Sequence, residues 1–297
     1  MPNLTLKERF MGPRTPGRRP RRAAYALPTF FTAGNVFLGF LAILRTFQGV
    51  IFASSEKGAH GPNHFFEFAA IAIGVAVVLD GLDGRIARMT NTTSDFGREL
   101  DSLADVVTFG VAPAVLAYAW GVQFLPADPS NLIHRVGYFV SFLFLLCGAA
   151  RLARFNVLTN PSPKNPGPPD RKYFIGLPIP PGAGIVAAVV FALDSTPLQW
   201  WVWSALWLAL LAIVAFLMVS TWRYPSFKDV HLLRPRSPLI FVLIAAVIYL
   251  ICIFPQPMLL AISVTYVSTG IVIRAAGIIR RRFRHHPPPP QPEHQVG

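Results

Sequence analysis

Eight stretches of roughly twenty predominantly apolar residues, near 28–47, 66–88, 97–121, 132–156, 179–196, 199–220, 236–254 and 257–279, run through this chain of 297 residues. Windows of that length read as membrane-crossing helices, so the expected fold is all-α: a polytopic integral membrane bundle of about eight transmembrane helices. Charge supports this. Only 14% of residues are Asp, Glu, Lys or Arg and the mean hydropathy is +0.47, whereas a soluble domain carries about 25% charged residues.

The basic residues are not spread evenly. Of the 27 Lys and Arg, 24 fall in the N-terminal arm, the segment around Arg85, Arg88 and Arg98, the 151–172 and 223–236 connections and the C-terminal end. Only Arg45, Lys57 and Arg135 fall on the other side. Positive charge stays on the cytoplasmic side of a membrane, so both termini are expected there. The net charge of +13 is then a topology signal, with affinity for anionic head groups secondary. A nucleic-acid partner is not expected, because the basic residues are divided among loops between spans.

The chemistry is concentrated between Asp80 and Asp105, in DGLDGRIARMTNTTSDFGRELDSLAD. Asp80 and Asp83 are three apart at the end of one apolar run, and Asp101 and Asp105 are four apart at the start of the next. On two helices each pair shares a face, and facing pairs would make one acidic pocket. Carboxylates gathered at membrane depth need cations, and an all-oxygen set without His or Cys favours Mg²⁺ or Mn²⁺ over Zn²⁺. Gly81 and Gly84 leave room either for a ligand or for a neighbouring helix. Gly97 opens a gap on the face of Asp101 and Asp105, Ser94 or Asp95 suits the N-cap of that helix, and Pro113 is expected to kink it.

The spacing D-x2-D-G-x2-A-R-x8-G-x3-D-x3-D, filled by Asp80, Asp83, Gly84, Ala87, Arg88, Gly97, Asp101 and Asp105, resembles the signature of the CDP-alcohol phosphatidyltransferase family. These are integral membrane enzymes that move a phosphatidyl or similar group from a CDP-linked donor to an alcohol. The strings LPTFFTAGNVFLGFLAI, ELDSLADVVTFGVAPA, RLARFN, FIGLPIPP and LMVSTWRYPSFK are similar to the branch that uses L-serine, and extend the resemblance over about residues 25–230. The resemblance implies transfer from CDP-diacylglycerol to the serine hydroxyl, with CMP released, in phospholipid synthesis. It also implies two divalent cations, Mn²⁺ or Mg²⁺, on Asp80, Asp83, Asp101 and Asp105, with Asp105 doubling as general base. Gly81, Gly84, Arg88 and Gly97 are then expected at the nucleotide and phosphates. Thr108, less than one turn beyond Asp105, and Arg151 are the candidates for serine. Glycerol 3-phosphate, inositol phosphate or choline is the alternative acceptor.

Four regions are expected: a flexible basic arm at 1–24, the catalytic core at 25–230, an added helix pair at 231–281 beyond a six-helix family core, and a disordered basic, Pro-rich tail at 282–297. The first apolar run is membrane-length and has no small-residue cleavage site, so no cleaved secretory signal is expected. Asn35, polar within the first span, fits either a helix-packing hydrogen bond or a place near the active site. Arg151 and Arg154 fit either snorkelling topology markers or a functional role. The 157–178 connection has the length and charge of a substrate-rim loop, and the last four spans suit scaffold and homodimer packing. Cys147 and Cys252 read as small hydrophobes. A cation transporter is the competing class, disfavoured because the aspartates sit toward one membrane face and no internal repeat is evident.

Overall fold

The structure is a computed structural model that describes residues 22–55, 62–90, 95–126, 132–159, 173–225 and 239–283. The expected N-terminal arm up to residue 21, most of the 157–178 loop, the basic-aromatic connection from residue 226, the tail from residue 284 and Ser94 lie outside the described residues. So do the side chains of Asp83, Arg88 and Asp95.

The chain runs α1 (Arg22–Ala53), α2 (His64–Thr90), α3 (Asp95–Asp105), a π-helical segment (Val106–Val111), α4 (Ala112–Gly121), α5 (Leu132–Thr159), β1 (Tyr173–Ile175), α6 (Ile179–Ala192), α7 (Trp201–Val219), β2 (Arg223–Pro225), α8 (Leu239–Ile253) and α9 (Pro255–Phe283). Each expected span is helical. Among the described residues six are long and apolar enough to cross a membrane, α3 to α4 counting as one. At the other two positions the described helices are shorter, 14 residues in α6 and 15 in α8.

On α1 the positions 32, 35, 39, 42 and 46 are buried, while Phe30, Phe37, Phe40, Leu44 and Phe47 are exposed. Spacings of three and four put the first set on one stripe facing the bundle and leave the large apolar residues for lipid. The start of α2 is fixed by Asn63, whose side-chain oxygen accepts from the N–H groups of Phe65 (3.1 Å) and Phe66 (3.3 Å). Its Nδ2 donates to the Gly49 carbonyl at 2.9 Å, so one residue caps α2 and ties it to the end of α1. α1 and α2 therefore run antiparallel, and the stretch from α3 to α4 runs parallel to α1, since Thr108 meets Asn35 while Ala114 and Tyr118, further along, border the same space as Thr46 and Val50. α5 packs along α7, and α6 lies among α2, the π segment, α4 and α9. At the end remote from the aspartates, Trp120 and Trp207 meet edge to face at 5.1 Å, and Trp207 Nε1 donates to the Ala117 carbonyl at 3.0 Å.

Two features refine the expected regular bundle. Pro113 has no N–H with which to continue the i→i−4 ladder, and the helix ahead of it widens into a π turn in which the Ala112 N–H reaches the Val107 carbonyl. The all-α expectation also omits a short antiparallel pairing of β1 with β2, Phe174 opposite Tyr224. This pairing joins the connection before α6 to the one after α7. Gly176, at φ +77°, lets the chain leave β1, and its N–H donates to the Trp222 carbonyl at 2.8 Å. Arg154 reinforces the joint by donating to the carbonyls of Val219 and Ile175, both at 3.3 Å.

α9 completes this end of the fold. It packs on α6 and β2, and with it in place Tyr224 is fully buried and donates to the Val267 carbonyl at 3.4 Å. Burial pushes the Tyr224 phenol up to about 12, so it remains a donor at neutral pH. A β-carbon at Gly270 would strike the Tyr224 ring. Gly270→Leu is expected to unseat α9 and destabilise the protein by roughly 1–3 kcal/mol, the cost of overpacking. Unfolding of purified protein at an unchanged temperature would rule this packing out.

Candidate active site

α2 ends and α3 begins at the same end of the bundle, and this brings Asp80 beside Asp101 and Asp105. Carboxylate oxygens of the three lie within 4.8 Å of one another, and all three residues are half-buried. Two ionised carboxylates at that separation repel by about 3 kcal/mol at an effective dielectric near 20. A cation removes that repulsion. The donor set is three carboxylates from two helices with no His or Cys among them, so the residues present fit a hard divalent ion. Asp83 and Arg88 lie further along α2.

Gly81 and Gly84 follow Asp80, and a β-carbon added at either would meet no atom within 4 Å. They are therefore not helix-packing glycines among the described residues, and the space beside them is open. Gly97 sits half-buried two turns before Asp105 on the same face of α3. Two apolar cavities, one of about 770 Å³ bordered by Leu125, Val140 and Trp200 and one of about 660 Å³ bordered by Trp120, Trp203 and Leu206, lie at the other end of the bundle. They have no chemistry to offer.

Thr108 is completely buried, and its Oγ1 donates to the backbone carbonyl of Asn35 at 3.0 Å. Its hydroxyl hydrogen is thus committed, leaving only lone pairs for a ligand. This contact depends on Gly39, where a β-carbon would lie 2.6 Å from Thr108 Oγ1 and 2.7 Å from its Cα. Gly39→Ala would push α1 off the helix that carries Asp105. We expect a stability loss of about 1–3 kcal/mol together with a fall in turnover, read by thermal unfolding and by initial rates. A fully active, equally stable Gly39→Ala protein would show that this approach does not set the position of Asp105.

Arg151, on α5, is 9% exposed, is within electrostatic reach of Asp105 and Tyr266, and has no partner for Nε among the described residues. Arg154, one turn on, is spent on backbone carbonyls instead. Asn156 Nδ2 donates to Ser102 Oγ at 2.8 Å, pinning α5 to α3 between Asp101 and Asp105. Neither Asn156 nor Ser102 stands out in the sequence, although Asn156 ends the string RLARFN. Asn35 is also completely buried, and neither end of its side-chain amide has a partner among the described residues. An unmet buried polar group costs about 1–3 kcal/mol.

Residues 25–215 match the family model for CDP-alcohol phosphatidyltransferases. The chain is 37% identical over 254 residues to a CDP-diacylglycerol–serine O-phosphatidyltransferase of Helicobacter pylori, covering 85% of this chain and 92% of that protein. It is 32% identical over 209 residues to a protein of the same name from Methanocaldococcus jannaschii, covering 70% and 78%. An archaetidylserine synthase of Methanothermobacter thermautotrophicus is 35% identical over 203 residues, covering 67% and 70%.

Proposed function

Because this chain belongs to the CDP-alcohol phosphatidyltransferase family, we propose that it transfers the phosphatidyl group of CDP-diacylglycerol to the hydroxyl of L-serine, giving phosphatidylserine and CMP. The observation that carries this is the meeting of Asp80, Asp101 and Asp105 within the family-matched stretch of a chain whose relatives are named for serine. In the reaction Asp105 takes the proton of the serine hydroxyl, the freed oxygen attacks the lipid-side phosphorus, and the bond from that phosphorus to the CMP oxygen breaks. Asp80, Asp83, Asp101 and Asp105 would hold two divalent cations, Mn²⁺ or Mg²⁺, whose contribution is to neutralise the donor's diphosphate. Arg88 contacts phosphate, Gly81, Gly84 and Gly97 border the nucleotide, and Thr108 offers acceptor lone pairs near Asp105.

Arg151 pairs with the serine carboxylate, a reading supported by its burial and by an Nε without a partner among the described residues. A hydrogen bond to a charged group contributes about 1.5–3 kcal/mol, so Arg151→Ala is expected to raise the serine KM by about tenfold to a hundredfold. The KM for CDP-diacylglycerol should stay within about twofold, and an equal rise in both would remove Arg151 from the serine site.

We also propose residues 25–230 as the catalytic core, 231–281 as an added helix pair, and eight membrane crossings in all. The aspartates and both termini then face the cytoplasm, a reading supported by the position of 24 of the 27 Lys and Arg residues on that side. The working unit is a homodimer. The test offers purified enzyme CDP-diacylglycerol with serine, glycerol 3-phosphate, inositol phosphate and choline in separate reactions. Phosphatidylserine as the only new lipid is the expected result, and product from another acceptor overturns the assignment of serine.

A further inference from the structure

Asn35 lies on the buried stripe of α1 with a fully enclosed amide whose oxygen and nitrogen both lack partners among the described residues. Among the described residues it therefore makes no helix-packing hydrogen bond, the ordinary reason for an asparagine in a membrane span. Its height in the bundle is set by its backbone, since the Asn35 carbonyl accepts from Thr108 at 3.0 Å. In a helix the carbonyl points toward the C-terminus and the side chain leans toward the N-terminus. α1 and α3 run parallel, so the Asn35 amide extends from the Thr108 contact toward the start of α3. Asp105 is three residues before Thr108 in that direction, about 4.5 Å along the axis at the helical rise.

The amide is neutral, buried and unsatisfied at the level of the proposed base, which suits a ligand that brings its own donors. A zwitterionic amino acid does so through its ammonium. Arg151, on α5, repels an ammonium and favours the carboxylate, and Asp105 is occupied by the hydroxyl that reacts. The ammonium then needs a neutral acceptor away from Arg151. We propose that Asn35 is an acceptor-binding residue whose amide oxygen receives a hydrogen bond from the ammonium of the amino acid substrate. This rests on the serine reading above and adds the residue that distinguishes an amino acid from a simple hydroxy acid.

Asn35→Leu is the informative variant, because it keeps the branched shape and removes both polar ends. The serine KM is expected to rise about tenfold or more, with the CDP-diacylglycerol KM within about twofold and the unfolding temperature equal to or above that of the parent. The preference for serine over 3-hydroxypropanoate, which lacks the ammonium, should fall by a similar factor. A purely structural asparagine would leave that preference unmoved. If Asn35→Leu does not yield folded protein, Asn35→Ala makes the same comparison. An unchanged serine KM, an equal rise for both substrates, or an unchanged preference overturns the assignment of Asn35. Failure of the parent enzyme to use serine at all overturns the serine reading instead, and with it this extension.

Discussion

Replacing Asp105 by Asn is expected to lower turnover by at least about a thousandfold, as read by CMP release from CDP-diacylglycerol in the presence of serine. Loss of a general base alone costs about 10²–10⁴ in rate, and the same residue is a proposed metal ligand. The structure adds a second, less obvious expectation. Asp105 shares a volume with Asp80 and Asp101, with oxygens inside 4.8 Å, so removing one charge relieves repulsion when no cation is present. The Asp105→Asn protein should therefore unfold no earlier than the parent in chelated buffer, despite being inactive. Turnover within tenfold of the parent would take Asp105 out of the mechanism. Inactivity accompanied by early unfolding would assign it to the scaffold.

Chelation is expected to have an effect of similar size. Thorough EDTA treatment should reduce turnover to roughly a hundredth or less, because the carboxylates alone repel a diphosphate. Mn²⁺ or Mg²⁺ should restore it and Zn²⁺ should do so poorly, since three carboxylates without His or Cys are a hard-ion donor set. A rise in unfolding temperature with Mn²⁺ or Mg²⁺ should accompany the recovery, as binding to the folded state alone requires. Full activity after exhaustive chelation would sink the metal reading and leave the acidic cluster without a purpose.

The helical bundle and the meeting of Asp80 with Asp101 and Asp105 were legible in the sequence for a common reason. Spacing within a segment decides which face a residue occupies, and matched pairs on successive helices, together with the family resemblance, pointed to one pocket. The β1–β2 pairing was not legible, because three-residue strands carry no period and their partners lie in separate connections. The π turn could be anticipated only as a disturbance at Pro113, since sequence shows that a hydrogen bond is missing but not how the helix absorbs the loss. Arg151 and Arg154, three apart on one helix, both fitted topology markers or a functional role on paper, with only Arg151 named for serine. Burial separates them: one keeps a nitrogen unmet among the described residues and within electrostatic reach of Asp105, and the other is tied to the carbonyls of Val219 and Ile175. Asn35 was ambiguous for the same reason, since whether an amide finds a partner depends on the neighbouring helix.

The burial of Tyr224 beneath α9 bears on the order in which the chain is made. Its cover, around Val267, lies 43 residues later, so a nascent chain whose earlier spans are already in the membrane still has an open seat beside the β pair. Ribosomal synthesis is directional, and that seat closes only when α9 arrives. A helix made later is thus the one that finishes the part of the fold made well before it. Chains cut short before α9 should for this reason be recognised as unfinished and degraded, even though they contain every aspartate of the site.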